Sequence, residues 1–129
     1  MKTHILAVDL RGGRKGALAY RKHHRAVWPK VLKSLRKVGV RDMDIYILGQ
    51  RLVMVMVVGD GFDRKRSFAA HSASDPACAE WETMMRGFQR PPPGAKAGEL
   101  WTPMTRVFSL SEQLRAQRAR RTSSGRPRR

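Results

Sequence analysis

The chain has 129 residues, of which 41% are hydrophobic, and this is enough for one domain with a packed core. Its formal net charge is +17, and its single cysteine excludes an intrachain disulfide and a multi-cysteine zinc site. A lone cysteine fits a reducing compartment, so a cytoplasmic protein is expected. No apolar run approaches the ~20 residues that a membrane-spanning helix needs, and no membrane partner is expected.

The positive charge is unevenly distributed along the chain. Residues 111–129 contain seven arginines and one glutamate, a net charge of +6, which leaves +11 on the other residues. The sequence therefore predicts a domain over residues 1–110 and a basic, largely disordered tail over residues 111–129, helical for a few turns over 112–121. Such charge attracts polyanions, although a basic surface without any such partner has the same composition.

The first half of the chain predicts a strand, a broken helix and a hairpin. Residues 3–10 alternate as a strand does, and residues 15–38 have helical spacing interrupted by Pro29. We expect one helix up to about residue 26 and a second that begins near Trp28 and stops at Gly39. Residues 43–48 and 51–58 read as two strands joined by the two-residue turn Gly49-Gln50.

The second half predicts two helices and a last strand. Residues 62–70 are a short helix candidate, and Asp75 followed by Pro76 is a strong signal for the start of the next helix. Residues 91–98 read as a proline- and glycine-rich loop, and residues 100–110 as the last strand.

This order, βαββαβ, predicts an α+β ferredoxin-like fold with a four-stranded antiparallel sheet and both helices on one face. The other face needs a cover, and a second copy packed sheet to sheet would supply it. The geometry therefore predicts a homodimer of the dimeric α/β barrel type.

RNA-recognition domains share this topology and present aromatic side chains on the third strand for base stacking. Here the third strand, residues 51–58, contains no aromatic residue, and the first strand contains none either. The sheet is therefore not expected to bind nucleic acid, and weak binding is left to the arginine-rich tail.

Polar and aromatic residues are concentrated in the stretch from residue 20 to residue 29. If it is helical, Tyr20 and His24 lie one turn apart on the same face, and Trp28 continues that face. Histidine is the natural proton-transfer group near neutral pH, but the same row would also suit an amphipathic helix packed on a sheet.

Other segments offer further candidates for a cavity between helices and sheet: Asp44, Tyr46, Trp81 and Glu82. No histidine spacing suggests a metal site and no glycine-rich phosphate loop is present, so neither a metal nor a cofactor is expected. We interpret His4, His23 and His71 as structural or surface residues.

The run Tyr20-x-x-x-His24-x-x-x-Trp28-Pro29 resembles that of the L-rhamnose mutarotase family, and the similarity extends over nearly all of residues 3–110. The resemblance implies a small dimeric ferredoxin-like isomerase of carbohydrate metabolism that interconverts sugar anomers without a cofactor. Tyr20 matches the family's substrate-contacting tyrosine, and His24 matches its catalytic histidine, a general acid/base for ring opening and closure.

Two positions depart from the rhamnose-type pattern of the family. Met43 stands where the family has a substrate-binding tyrosine, and Trp81-Glu82 replaces a Trp-Trp pair. The variant motifs look more like the L-fucose branch, so the expected substrate is a 6-deoxy-L-hexose, L-fucose slightly before L-rhamnose. The expected catalytic residue is therefore His24, and the candidate substrate-binding residues are Tyr20, Met43, Asp44, Tyr46, Trp81 and Glu82. Which of Asp44, Tyr46 and Glu82 faces the pocket is left open by the sequence. The alternative is a basic dimeric module that binds a small molecule or nucleic acid without catalysis.

Overall fold

The computed structural model describes residues 1–123 and contains five strands and five helices within them. In chain order they are β1 Lys2–Leu10, α1 Gly13–His23, α2 Pro29–Lys37, β2 Val40–Leu48, β3 Arg51–Val58, α3 Arg64–Ser74, α4 Pro76–Phe88, β4 Gln89–Arg90, β5 Thr102–Pro103 and α5 Leu110–Ser123.

The strands form one antiparallel sheet in the order β2-β3-β1-β4, with β5 also paired to β1. The strands β2 and β3 are joined by the predicted two-residue turn, in which Gly49 has a φ of +60°. Such a positive φ costs glycine nothing, so it suits this position. The order and the antiparallel pairing confirm the predicted α+β ferredoxin-like class.

The predicted last strand over residues 100–110 is wrong for most of its length. Only Thr102–Pro103 joins the ladder, opposite Leu6 and Ala7 of β1, and the amide of Met104 adds one further bond to the carbonyl of Ile5. Proline cannot donate to a ladder, and β4 already occupies the other end of this edge of β1. The chain then leaves the sheet, and Val107 is 94% exposed.

The predicted break at Pro29 is confirmed. The helix α1 ends at His23, three residues earlier than expected, and Pro29 is the first residue of α2. Proline is tolerated there because a first-turn amide has no partner within the helix. The break therefore places His24 just beyond the end of α1 rather than inside a continuous helix.

The starts of α3 and α4 are fixed by aspartate caps. The carboxylate of Asp63 accepts from the amide of Arg66 at 2.8 Å, so α3 begins two residues later than predicted. The carboxylate of Asp75 accepts from the amide of Ala77 at 2.8 Å, as the cap signal predicted.

The helices α1–α4 cover one face of the sheet. On β3, Leu52, Met54, Met56 and Val58 are buried under them, together with Leu6, Val8 and Leu10 of β1. The alternate residues Val53, Val55 and Val57 therefore point to the other face, which no helix of the described chain covers. We call this side the uncovered face.

The helix expected over residues 112–121 is present in α5, which runs from Leu110 through Ser123 and buries no residue. Disorder was expected for residues 122–129; this is wrong for Thr122 and Ser123, which continue α5, and residues 124–129 lie outside the described residues. Within residues 1–123, no helix combines the length and apolar character needed to cross a membrane.

Candidate active site

A cavity of about 410 Å³ lies between the covered face of the sheet and the helices. This volume is in the range of sites for small molecules. The strands β2 and β3 form one side of the cavity, and the helices α2, α3 and α4 form much of the rest. Its polar lining residues are Tyr20, His24, Asp44, His71, Glu82, Arg86 and Gln89, and the others are aliphatic, methionine or aromatic.

His24 has a fixed ring orientation and tautomer. Its Nδ1 lies 3.0 Å from the backbone carbonyl of Tyr20, and a carbonyl can only accept, so Nδ1 carries the proton. The other ring nitrogen, Nε2, is then an unprotonated acceptor. Burial lowers the pKa of His24, against the opposing effect of the Tyr20 carbonyl, so the ring is neutral at pH 7. The geometry thus presents a base.

Tyr20 supports this base and supplies a hydroxyl. Its ring stacks on that of His24 with 4.3 Å between centroids, and its side chain is buried. The amide of Gln89 lies 3.5 Å from the phenol oxygen. Burial raises the pKa of Tyr20 to about 12, so the hydroxyl stays protonated and can donate a hydrogen bond.

Trp81 closes the other side of the histidine. Its ring meets His24 edge-on at 5.4 Å, and Trp28 meets Trp81 in the same way at 5.1 Å. Trp81 and Glu82 both line the cavity, whereas Trp28 packs against the hydrophobic core and does not. Trp28 therefore holds Trp81 in place from outside the cavity.

The three candidates on β2 are separated by the alternation of the strand. Met43 lies opposite Met56 on the covered face and lines the cavity. Asp44 lies at the cavity edge, but its register opposite Val55 directs the carboxylate to the uncovered face. Tyr46 is 61% exposed on that uncovered face and does not line the cavity.

The sequence patterns missed three polar lining residues: His71, Arg86 and Gln89. His71 was interpreted as a structural or surface residue, but it is buried at the cavity wall. The signal available in the sequence was the three-residue spacing of His71 and Ser74, which places both on one face of α3. Gln89 gave no signal, because it follows α4 where the chain turns into β4.

Clusters of metal-ligating side chains are absent from the described residues. Nowhere in residues 1–123 do three or more histidine, cysteine or acidic side chains gather as they would to hold a metal ion.

The fold and the site define a small α+β protein whose cavity contains a neutral imidazole beside a protonated phenol. The family model of L-rhamnose mutarotase matches residues 4–110, and the chain belongs to this family, whose members are isomerases that act on carbohydrates. The L-fucose mutarotase of Xanthomonas campestris pv. campestris is 41% identical over 100 residues, which cover 76% of this chain and 79% of that protein. A second relative, from Dictyostelium discoideum, is 33% identical over 112 residues that cover 84% and 90% of the two chains.

Two solved structures share the fold. The L-rhamnose mutarotase of Formosa agariphila matches with a TM-score of 0.60 and 20% identity, over 85% of this chain and 99% of that one. The tetracenomycin F2 cyclase of Streptomyces glaucescens matches with a TM-score of 0.55 and 14% identity, over 85% and 97%. At these identities the likeness bears on the fold alone.

Proposed function

We propose that this protein is a mutarotase that interconverts the α and β anomers of a 6-deoxy-L-hexose, with L-fucose preferred to L-rhamnose. The observation that carries the proposal is the arrangement of His24 on Tyr20 in the cavity wall. It combines a neutral ring nitrogen that can accept a proton with a hydroxyl that can donate a hydrogen bond.

The reaction needs one proton removed and one delivered. Nε2 of His24 takes the proton of the anomeric hydroxyl, the bond between the anomeric carbon and the ring oxygen breaks, and an aldehyde forms. The imidazolium then returns its proton to the ring oxygen. One imidazole suffices for both transfers, because the two oxygens are bonded to the same carbon. After rotation of the aldehyde, the reverse sequence closes the ring in the other configuration.

The neighbours of His24 favour this chemistry. The carbonyl of Tyr20 that accepts from Nδ1 also stabilises the transient imidazolium, while burial keeps the resting ring neutral. The hydroxyl of Tyr20 donates to a sugar oxygen, and the indole of Trp81 lies against the less polar side of the sugar with its methyl group.

The preference for L-fucose rests on two lining residues. Met43 replaces the ring and hydroxyl of a tyrosine, and the carboxylate of Glu82 accepts hydrogen bonds that an indole cannot. The relative with 41% identity is named an L-fucose mutarotase, whereas the solved L-rhamnose mutarotase is 20% identical.

The proposal includes a homodimer that buries the uncovered face. The central strand presents Val53, Val55 and Val57 there, and its neighbour β1 presents Ile5, which is 37% exposed, opposite Val55. A contiguous apolar patch of this kind marks an association surface. A second copy packed across it would follow the usual geometry of two stacked sheets.

Polarimetry tests the activity directly. Freshly dissolved crystalline α-L-fucose and α-L-rhamnose should reach their equilibrium rotation faster when catalytic amounts of protein are present, with the larger acceleration for L-fucose. D-fucose is the matched control, because it has the same functional groups in mirror image. Basic groups on the protein surface would accelerate both enantiomers equally, whereas a chiral cavity acts on the L-sugar.

The same measurement separates the proposal from a module that only binds. Curves that coincide with the protein-free curve for both L-sugars would refute mutarotase activity on them. Equal acceleration of L-fucose and D-fucose would refute the cavity as the site of catalysis.

A further inference from the structure

A second histidine lies on the wall of the same cavity, with no part in the proton transfer assigned to His24. His71 belongs to α3, is 3% exposed and lines the cavity together with Glu82. A buried imidazole is costly to desolvate unless its nitrogens are used, so the partners of each nitrogen decide what this residue can do.

One nitrogen of His71 is held by two serines. Its Nδ1 lies 2.7 Å from Oγ of Ser34, and that oxygen lies 2.8 Å from Oγ of Ser74. The chain of bonds ends where Oγ of Ser74 lies 2.7 Å from the backbone carbonyl of His71 itself.

Counting hydrogens along this chain fixes the tautomer. The carbonyl of His71 can only accept, so Ser74 donates its single hydroxyl hydrogen to that carbonyl and must accept a hydrogen bond from Ser34. Ser34 therefore donates its own hydroxyl hydrogen to Ser74 and must accept a hydrogen bond from the ring of His71. The proton of His71 is therefore on Nδ1, and Nε2 carries a lone pair.

The lone pair on Nε2 has no partner within residues 1–123, where the ring makes hydrogen bonds through Nδ1 alone. Every deeply buried side-chain nitrogen and oxygen of that part of the chain is paired, so the unpaired Nε2 is an atom that the cavity reaches. Burial lowers the pKa of His71, and the charge of Glu82 opposes this less strongly, so the ring is neutral and Nε2 accepts at pH 7.

We propose that His71 is a substrate-binding residue whose Nε2 accepts a hydrogen bond from a ring hydroxyl of the sugar, and that with Glu82 it sets the preference between sugars. This inference rests on the proposed mutarotase function. L-fucose and L-rhamnose share the methyl group and the anomeric centre but differ in the configuration of the hydroxyls at C2 and C4. An acceptor fixed on the cavity wall by two serines discriminates between such sugars, because the wrong configuration leaves it buried without a donor.

Two variants isolate the accepting nitrogen. His71→Asn places an amide where Nδ1 was, keeping a donor for Ser34 while removing the acceptor at Nε2. His71→Gln places its amide oxygen near Nε2 and keeps an acceptor for the sugar. Saturation-transfer NMR of the anomeric protons gives kcat/KM for L-fucose and L-rhamnose in each protein, and thermal melting confirms that each is folded.

We expect His71→Asn to change the ratio of kcat/KM between the two sugars by about tenfold, as an increase in KM for L-fucose with kcat kept by His24. His71→Gln should stay within a few-fold of the wild-type ratio. A folded His71→Asn variant with the wild-type ratio would overturn the inference, because a purely structural histidine affects both sugars alike. Anomeric exchange catalysed by the wild-type protein tests the proposed mutarotase function independently of the role of His71.

The wild-type protein provides a second measurement that needs no variant. Long-range ¹H–¹⁵N spectra of the ring nitrogens should place the proton of His71 on Nδ1, and the Nε2 resonance should move when L-fucose saturates the site. A protonated Nε2, or one that is unaffected by saturating sugar, would contradict the assignment.

Discussion

The two faces of the sheet serve different purposes, although the same strands build both. On the covered face, Met43 and Met54 form part of a cavity that also holds the imidazole of His24. On the uncovered face, Val55 and Tyr46 lie on a surface that no described helix covers, and the neighbouring Asp44 is directed to the same side. Neighbouring residues of one strand therefore have different surroundings and different roles, because successive side chains point to opposite faces of the sheet.

Removing the large aromatic on the cavity side should have the largest effect on stability. Trp81 is 7% exposed and contacts both His24 and Trp28, so Trp81→Ala should lower the free energy of unfolding by about 3–5 kcal/mol. The matched control is Tyr46→Ala on the uncovered face, where the side chain is already 61% exposed. Denaturant unfolding of both variants, at a concentration where neither dimerises, checks this. Equal losses would contradict the contrast between the faces.

A charge on the uncovered face should affect association instead of catalysis. Val55 lies in the middle of this face, opposite Ile5 and Asp44, and Val55→Lys would place an ammonium group against its own copy. We expect the dissociation constant of the dimer to rise by about a hundredfold. Sedimentation velocity over a dilution series measures it. A variant that associates like the wild type would exclude this face as the interface.

The hydroxyl of Tyr20 is expected to have a smaller effect, confined to the cavity. Tyr20→Phe keeps the ring stacked on His24 but removes one hydrogen bond, which is typically worth about 1 kcal/mol, so kcat/KM should fall by about five- to tenfold. Tyr46→Phe removes the corresponding hydroxyl from the uncovered face and should leave kcat/KM unchanged. If the two variants have equal activity, the hydroxyl of Tyr20 has no part in binding or catalysis.

The pH dependence should be the mildest effect. Because burial lowers the pKa of His24 from 6.5, its neutral, active form should persist as the pH falls below 6.5. The decline in kcat/KM on acidification should therefore be centred on a pH below 6.5. Stability follows the same sign, since below pH 6.5 the unfolded chain binds a proton that the folded ring resists, so acidification destabilises the fold. A pH profile of kcat/KM, corrected for spontaneous exchange, measures the pH at the midpoint of this acidic decline. A midpoint at or above 6.5 would contradict it.

The sequence predicted elements whose signals are local. Alternation located β1 and β2, and a continuous apolar run located β3. Pro29 located the helix break, and Asp75 with Pro76 located the start of α4, because each signal acts within a few residues. The last strand was overpredicted, because whether residues 104–110 pair depends on the edge of β1, which lies about a hundred residues away in sequence. Apolar content alone could not decide this.

Site residues could be predicted where their spacing or the family resemblance indicated them. They could not be predicted where the site depends on contacts between elements that are distant in sequence. Tyr20 and His24 lie one turn apart and meet in the structure. Asp44 and Tyr46 were grouped with them, but the register of β2 directs Tyr46 to the uncovered face and leaves Asp44 only at the edge of the cavity. His71 was missed because its role depends on Ser34, which lies 37 residues away and approaches it only in the folded chain.

The central claim is that Nε2 of His24 moves the proton, and a pair of adjacent histidines tests it. In saturation-transfer NMR of the anomeric protons of L-fucose, His24→Gln should reduce protein-catalysed exchange by about 10²–10⁴-fold. The matched variant His23→Gln changes the neighbouring histidine, which does not line the cavity and reaches it only through an edge-on contact with Trp81, with ring centroids 6.5 Å apart, and through Phe88, and it should exchange like the wild type. Thermal melting would establish that both variants are folded. Near-wild-type exchange by folded His24→Gln would contradict the account.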